Sequence, residues 1–253
     1  MSRLNLKNNF DLCYPILEKE FNLVYDKINS TLDKRVLFYE LRIDYLLENN
    51  INIDHIIVFI NDLVKKIHGK KFIVTIRTKS EGGVIELSYD KYCDYINKLI
   101  RQVRVEYIDI EYKYYELDKE KFDVLIENSK TKVILSRHEV TDIFSSINCE
   151  RIIRELFARK CDTIKLAMMV NSKEDLFSFM NSAKKSFDEY KEYNKNMIFI
   201  AMGEMGRLSR IYPEYTNTHM VFLNAYDNDN KLGQFSLDSY LQYRKLLAKE
   251  GKN

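Results

Sequence analysis

The hydrophobic pattern alternates between short apolar runs and longer segments of helical periodicity. The short runs have the length and two-residue period of strands, whereas the segments between them repeat apolar residues every three to four positions. One run and one segment together span about 30 residues, the size of a βα unit. The pattern therefore predicts eight strands alternating with eight helices. The predicted strands are residues 10–16, 36–44, 71–77, 107–112, 132–138, 163–169, 197–203 and 219–225.

Eight alternating units favour an α/β fold of the closed (β/α)8 type, a TIM barrel. An open doubly wound sheet usually has fewer strands, and no GxGxxG or Walker sequence follows the first predicted strand. The chain has 253 residues, which is a common length for a single barrel. With 7 Gly and 2 Pro it contains no Gly/Ser/Pro-rich linker, so we expect residues 1–253 to form one domain.

Composition and charge argue against several classes of function. The chain carries 40 basic and 38 acidic residues, so no net field attracts nucleic acid or an anionic membrane. Its cysteines, Cys13, Cys93, Cys149 and Cys161, form no CxxC or Cys/His cluster, which indicates reduced thiols and no zinc site. There is no signal-peptide pattern and no apolar run approaches the length of a membrane span. We therefore expect a cytoplasmic protein.

Lys165 lies in the run TIKLAMM, where Ile164, Leu166 and Met168 alternate with it. If the apolar set of this strand faces the helices, Lys165 points into the barrel. Desolvation lowers the pKa of an amine, and a neutral amine is a nucleophile toward ketones. Lys165 is thus a candidate imine-forming residue, although a lysine that reaches water from the end of its strand is the structural alternative.

Other strands also send ionisable side chains inward under the same assignment. A barrel interior is normally filled by branched apolar residues, so this concentration of charge favours an active site over a structural salt-bridge lattice. His138 ends its strand on this side, and a single histidine near an amine suits proton transfer and does not suit a metal site. The predicted inward set is Glu40, Arg42, Asp44, Thr75, Arg77, Asp109, Glu111, Ser136 and His138.

Two loops carry further candidates. In RTKSEGG (77–83) the paired glycines permit a tight turn, and Glu81 can fold back over the barrel mouth toward His138. In MGEMGRLSR (202–210) a glycine-containing turn opens a short helix, and Arg210 offers a bidentate fork for a carboxylate or phosphate. A solvated surface loop and an ordinary helix arginine are the structural alternatives.

Taken together, these segments resemble the type I 3-dehydroquinate dehydratases of the shikimate pathway. The resemblance covers nearly the whole chain. Each motif is short, but seven of them occur in order, each on the predicted strand or loop, and this combination is specific. The motifs are ELRID (40–44), RTKSEGG (77–83), YIDIE (107–111), VILSRH ending at His138, IKLA around Lys165, MGEMGRLSR (202–210) and GQ (233–234).

The resemblance implies a homodimeric barrel without metal or cofactor that converts 3-dehydroquinate into 3-dehydroshikimate and water. It implies that Lys165 forms an imine with the C3 ketone, and that His138 removes the C2 proton and then protonates the leaving C1 hydroxyl. Glu81 matches the residue that positions this histidine, and Arg210 matches the residue that binds the substrate carboxylate. Further implied substrate-binding positions are Glu40, Arg42, Arg77, Asn230 and Gln234.

The chain departs from the family pattern at several positions, and these departures leave two alternatives open. The departures are Tyr112, Arg137, Glu139, Asn230 and Leu232, with Asn230 standing where a substrate-binding serine is common. One alternative is another imine-forming barrel enzyme, such as an aldolase of small sugars. Such an enzyme usually has a phosphate site in the loops after the last two strands. The other is a non-catalytic protein that binds quinate or dehydroquinate, motivated by the changes beside His138.

Overall fold

The computed structural model describes residues 10–140, 144–226 and 233–250. Within these residues eight parallel strands follow one another around a nearly closed barrel, which confirms the predicted (β/α)8 fold. From the first strand to the seventh, each strand pairs with the next in sequence, and the eighth pairs with the first. The strands are β1 (Asp11–Ile16), β2 (Phe38–Arg42), β3 (Lys71–Thr75), β4 (Tyr107–Glu111), β5 (Lys132–Glu139), β6 (Thr163–Met169), β7 (Asn196–Met202) and β8 (Met220–Phe222).

Helices cover the outer face of the barrel. They are α1 (Phe21–Ser30), α2 (Asp44–Glu48), α3 (Ile53–Lys66), α4 (Tyr89–Gln102), α5 (Tyr112–Leu117), α6 (Lys119–Glu127), α7 (Ser146–Phe157), α8 (Lys173–Tyr190), α9 (Arg207–Ile211), α10 (Pro213–Thr216) and α11 (Leu237–Glu250). The hydrophobic pattern did not predict α2, α5 and α10. Each of these has six residues or fewer, too short to establish a helical period.

Side-chain caps fix where several of the long helices begin. The side chains of Asn52, Ser88 and Ser145 each accept a hydrogen bond from a backbone N–H two or three residues later. At the start of α8, Ser172 and Asp175 form a reciprocal capping box. These bonds satisfy N–H groups that have no partner within the helix, so the sequence itself specifies where the chain turns from loop to helix.

Two apolar layers result from the alternation along the strands. One lies between the strands and the helices and includes Ile164, Leu166 and Met168 of β6, as predicted. The other fills the lumen at the N-terminal ends of the strands and forms a floor beneath the polar residues. The floor consists of Cys13, Phe38, Ile73, Tyr107, Ile134, Ile198 and Met220.

The barrel closes between β7 and the segment that leads into β8. The backbone N–H of His219 donates to the carbonyl oxygen of Met197 at 2.7 Å, and the hydroxyl of Thr218 accepts from the N–H of Phe199 at 3.2 Å. Strand β8 is shorter than the predicted 219–225. The N–H of Leu223 still donates to the carbonyl oxygen of Cys13 on β1 at 2.9 Å, but the N–H of Asn224 donates to the carbonyl oxygen of Phe235 at 2.8 Å, outside the sheet.

Candidate active site

A cavity of about 560 Å³ opens at the C-terminal ends of the strands. This volume is typical of small-molecule sites, and the C-terminal face is where barrel enzymes place their chemistry. One part of its wall is apolar and is formed by Ala167, Ile200, Met202 and Phe222. The polar part brings together eight residues singled out from the sequence: Glu40, Arg42, Arg77, Glu81, His138, Lys165, Arg210 and Gln234.

Lys165 is buried in the lumen, with 3% of its surface exposed. Its Nζ lies 3.0 Å from Oε1 of Glu40 and 3.5 Å from Oδ2 of Asp109, and 4.3 Å from the ring centroid of Phe222. The alternative of a lysine that reaches water from a strand end is therefore wrong. The amine faces the cavity between two carboxylates and one aromatic ring. A positive charge on it is stabilised by these groups, and a proton released from it can pass to a carboxylate.

Glu40 lies between the lysine and the strand beside it. Its Oε1 accepts hydrogen bonds from Nζ of Lys165 and from the hydroxyl of Thr75, each at 3.0 Å. Burial acts to raise the pKa of this carboxyl, but the charges of Lys165, Arg42 and Arg77 outweigh it and hold the pKa below its usual value. Glu40 is consequently an ionised hydrogen-bond acceptor on the wall of the cavity, beside Lys165.

Arg77 connects the strands that carry the charged side chains. Its guanidinium donates to Glu81 at 2.9 Å, to Glu111 at 3.2 Å, to Asp109 at 2.8 Å and to the hydroxyl of Ser136 at 3.0 Å. Burial opposes its charge, but the three carboxylates prevail and raise the pKa of Arg77. The guanidinium thereby joins residues from β4, β5 and the loop after β3 in one buried network.

The turn after Arg77 presents Glu81 to the cavity. Residues Lys79–Glu81 form a short 3-10 helix in which the N–H of Glu81 donates to the carbonyl oxygen of Thr78 at 3.0 Å. Gly83 follows so closely that a Cβ at this position would lie 1.8 Å from the carbonyl oxygen of Arg77. Only glycine fits there, and Gly82 before it has a φ of 85°, which also favours glycine, so the turn requires both residues of the GG pair.

His138 lies against Glu81. Oε2 of Glu81 accepts from the backbone N–H of His138 at 3.1 Å and lies 3.0 Å from its Nδ1. This pair of contacts fixes the orientation of the imidazole and commits Nδ1 to the carboxyl group. Burial, together with the charges of Arg77, Lys165 and Arg42, lowers the pKa of His138 well below its usual value, so the ring is neutral near pH 7.

The carboxyl group of Glu81 has a high proton affinity. Burial raises its pKa to about 8; Arg77 opposes this shift, whereas the charges of Glu111 and Asp109 add to it. The Glu81–His138 pair therefore gains or loses one proton close to neutral pH. A histidine coupled in this way can serve as a base or an acid, depending on where that proton lies.

Two arginines of the cavity have different surroundings. Arg42 donates through Nε and a terminal nitrogen to the two oxygens of Asp44, both at 2.8 Å, so its charge is matched inside the protein. Arg210 lies buried on α9, where burial and the neighbouring charge of Arg207 lower its pKa to about 10. An anionic ligand would offset both effects, so Arg210 suits a carboxylate.

Three departures from the family pattern lie outside the lumen. On β5, Arg137 forms an ion pair with Glu139, and its guanidinium lies 5.9 Å from the ring centroid of Tyr112. The alternation of the strand places both charged residues on the face opposite Ser136 and His138, so they compensate one another without entering the cavity. The other two departures, Asn230 and Leu232, lie outside the described residues.

Several cavity residues were missed by sequence reasoning. Ile200, Met202 and Phe222 escaped because β7 and β8 are apolar on both faces, so the rule that apolar residues face the helices selects neither face. The polar residues Asn224 and Tyr226 follow β8 and belong to no motif singled out above. Continuing the two-residue alternation past Phe222 would have indicated Asn224.

Among residues 10–140, 144–226 and 233–250, no group of three or more His, Cys, Asp or Glu side chains is arranged to hold a metal ion. In the same part of the chain, none of the helices combines the length and the apolar character needed to cross a bilayer.

Comparison with known proteins agrees with this geometry. The sequence profile of the type I 3-dehydroquinase family matches residues 12–250. The chain belongs to this family. It is 32% identical over 187 residues to the 3-dehydroquinate dehydratase of Streptococcus gordonii, covering 73% of this chain and 78% of the relative. To the enzyme of Streptococcus suis it is 31% identical over 210 residues, covering 82% and 86%.

Solved structures of family members share the fold. The type I 3-dehydroquinate dehydratase of Clostridium difficile, solved with covalently modified comenic acid, superposes with a TM-score of 0.84 at 22% identity, over 95% of this chain and 92% of that one. The 3-dehydroquinate dehydratase of Geobacillus kaustophilus gives 0.81 at 19% identity, over 94% and 91%. At these identities the superpositions establish the barrel architecture.

Replacing Arg77 tests how far the site depends on this one cation. In Arg77→Met, three buried carboxylates lose their common partner, so we expect the free energy of unfolding in urea to fall by about 3–5 kcal/mol at pH 7. The deficit should be smaller at pH 5. Without Arg77 the buried carboxyls have raised pKa values, so the folded variant binds more protons than its unfolded chain and is stabilised as the pH falls. Arg101→Met, on the exposed face of α4, is the matched control. An equal deficit at both pH values would contradict the explanation.

Proposed function

We propose that this protein is a 3-dehydroquinate dehydratase that acts through an imine on Lys165. The observation that carries the proposal is the placement of a buried lysine and a neutral, oriented histidine on the wall of one cavity. Family membership supplies the substrate class, since the curated relatives are 3-dehydroquinate dehydratases. The similar Clostridium difficile enzyme was solved with covalently modified comenic acid, which supports covalent chemistry on this fold.

The first step forms the imine. Lys165 passes a proton to Glu40, whose Oε1 lies 3.0 Å away, and the neutral amine attacks the C3 ketone. Glu40 then returns this proton to the hydroxyl of the resulting carbinolamine, which leaves as water and gives a protonated imine. This cation replaces the ammonium charge in the same place, between Glu40 and Asp109, so its charge is neutralised without reorganisation of the site.

The elimination then needs a base that becomes an acid. Nε2 of His138 takes the C2 proton, and the electron pair of the broken C–H bond moves into the protonated imine to give an enamine. The electron pair returns to expel the C1 hydroxyl, which receives the proton from Nε2 and leaves as water. Glu81 holds the ring through Nδ1 during both transfers. Hydrolysis of the product imine releases 3-dehydroshikimate and regenerates Lys165.

Binding of a polyhydroxy acid suits the remaining wall. We assign the substrate carboxylate to Arg210, which lies beside Arg207 and is buried. We assign the substrate hydroxyl groups to Glu40, Arg42, Arg77 and Gln234, all of which line the cavity. Asn230 is retained as a proposed hydroxyl ligand from the resemblance alone. Ala167, Ile200, Met202 and Phe222 would contact the carbon ring and exclude water from the imine.

We also propose that residues 1–253 form one barrel domain and that the protein is a cytoplasmic homodimer. The family match over residues 12–250 supports the single domain, and four free cysteines suit a reducing compartment.

The dimer needs a surface that the second subunit covers. Ile147 of α7 and Phe177 of α8 are large apolar side chains that are 82% and 56% exposed, so they are candidates for this surface. Sedimentation velocity should give twice the chain mass of 30.3 kDa; a monomer at micromolar concentration would contradict the dimer.

The imine predicts a covalent adduct at one residue. After incubation with 3-dehydroquinate and borohydride reduction, peptide mass analysis should find the adduct on Lys165. Lys165→Met should give no adduct and no product absorbance. Lys195→Met is the control, because Lys195 is bound to backbone carbonyl oxygens at the opposite end of the barrel. Tight binding without an adduct would indicate the non-catalytic protein, and release of a ketone and an aldehyde from a sugar phosphate would indicate an aldolase.

The assignment of His138 predicts a different defect. His138→Gln should lower kcat by about 10²–10⁴-fold, because proton transfer in both directions is lost. The imine should still form, so borohydride trapping on Lys165 should persist and a substrate adduct should accumulate. His219→Gln serves as control, since His219 lies beside Asp11 at the other end of the barrel. An unaltered kcat in His138→Gln would remove this residue from the mechanism.

A further inference from the structure

Glu111 reaches the catalytic turn from the end of β4 and is fully buried. Its Oε1 accepts from the backbone N–H of Thr78 at 2.8 Å and from Arg77 at 3.2 Å. Its Oε2 accepts from the hydroxyl of Thr78, also at 2.8 Å. One carboxylate therefore holds both the backbone and the side chain of the residue from which the Glu81 turn begins.

Lys113, two residues later on α5, holds the same turn from the solvent side. Its Nζ donates to the hydroxyl of Thr78 at 2.6 Å and to the hydroxyl of Ser80, and lies 3.6 Å from Oε2 of Glu111. Its side chain is 37% exposed, whereas that of Glu111 is inaccessible. The segment from Thr78 to Ser80 is thus tied to two side chains of opposite charge, immediately before Glu81.

We propose that Glu111 and Lys113 are positioning residues for the Glu81–His138 pair. They fix the turn that carries Glu81, and the opposite signs of their charges set the pH above which His138 can accept a proton. This inference rests on the function proposed above. It assigns to β4 and α5 a control over proton transfer that the reacting groups do not provide by themselves.

The charges around the pair come from four elements, β2, β4, α5 and β6, and from the loop after β3. Both signs are represented among them, so the loss of any one charge changes the net field on the pair. Facing Glu81 are Arg77 from the loop after β3, Asp109 and Glu111 from β4, Lys113 from α5 and His138 from β5, while Arg42 from β2 and Lys165 from β6 act on His138.

The position of one proton links these charges to catalysis. When Glu81 is protonated, its hydroxyl donates to Nδ1, so the neutral imidazole carries its own proton on Nε2 and cannot act as a base. When Glu81 is ionised, it accepts from Nδ1–H and the lone pair of Nε2 is open to the substrate. The value of kcat/KM should therefore rise with pH through the apparent pKa of the pair. The negative charge of Glu111 raises this pKa, and the positive charge of Lys113 lowers it.

The test is the pH profile of kcat/KM for 3-dehydroquinate in two variants. Glu111→Gln should move the acid limb to lower pH and Lys113→Met should move it to higher pH, each by about one unit. Glu106→Gln and Lys132→Met are matched controls, because these residues form a 2.8 Å ion pair beside β4 and β5 at the opposite end of the barrel. Both controls should retain the wild-type limb.

Opposite shifts separate the proposal from a structural role. A uniform loss of kcat/KM at every pH, or a shift of both variants in one direction, would overturn it. Lys113→Met changes a half-exposed residue, so it provides the test by itself if Glu111→Gln does not fold. The NMR titration of the His138 ring, assigned by its loss in His138→Gln, should show the same two shifts without turnover. A wild-type protein that lacks turnover and adduct would refute the proposed function, while the NMR titration would still judge the positioning role.

Discussion

The site depends on the attraction between one buried guanidinium and three carboxylates. Arg77 contacts Glu81, Asp109 and Glu111, and these partners in turn contact the histidine, the lysine and the turn after β3. Each carboxylate alone would be costly to bury, because desolvation opposes its charge. Held around one cation they stay in place and share a limited positive charge. Burial, which Arg77 offsets only in part, raises the pKa of Glu81 to about 8, whereas the charges of Lys165, Arg42 and Arg77 hold the pKa of Glu40 below its usual value.

This arrangement divides the work between the strands. β6 supplies the amine and β5 supplies the imidazole, and the backbones of these neighbouring strands are in register, with Ser136 beside Lys165 and His138 beside Ala167. β2 and β4 supply the carboxylates that face the lysine. The turn after β3 supplies the partner of the histidine. Reactive groups therefore stand on rigid strands, whereas the group that adjusts proton affinity stands on a turn that other residues hold in place.

Sequence reasoning could predict the fold and the polar lumen wherever a strand has one apolar face. In β6 the alternation of TIKLAMM left only one orientation for Lys165, and in β4 the positions of Ile108 and Ile110 were equally clear; in β5, whose last four residues are polar on both faces, the choice rested on Leu135. In β7 and β8 the same reasoning could not choose a face, because residues on both faces are apolar. The contacts of Lys113 with Thr78 and Ser80 could not be read from the pattern either, since they join residues more than thirty positions apart through the geometry of a turn. The short helices α2, α5 and α10 lack enough turns to show a period.

Strand register gives the charged pair on the outer face of β5 a further significance. Arg137 and Glu139 alternate with Ser136 and His138, so a slip of this strand by one residue would exchange the two sets. The lumen would then receive an arginine and a glutamate in place of the hydroxyl and the imidazole, and Arg77 would lose its hydrogen bond to Ser136. Such a slipped barrel would place two more charges in the lumen and would have no proton carrier beside the amine. A barrel fold is therefore not sufficient for the chemistry of this chain. The hydrogen-bonding register of β5 decides which of its residues enter the cavity.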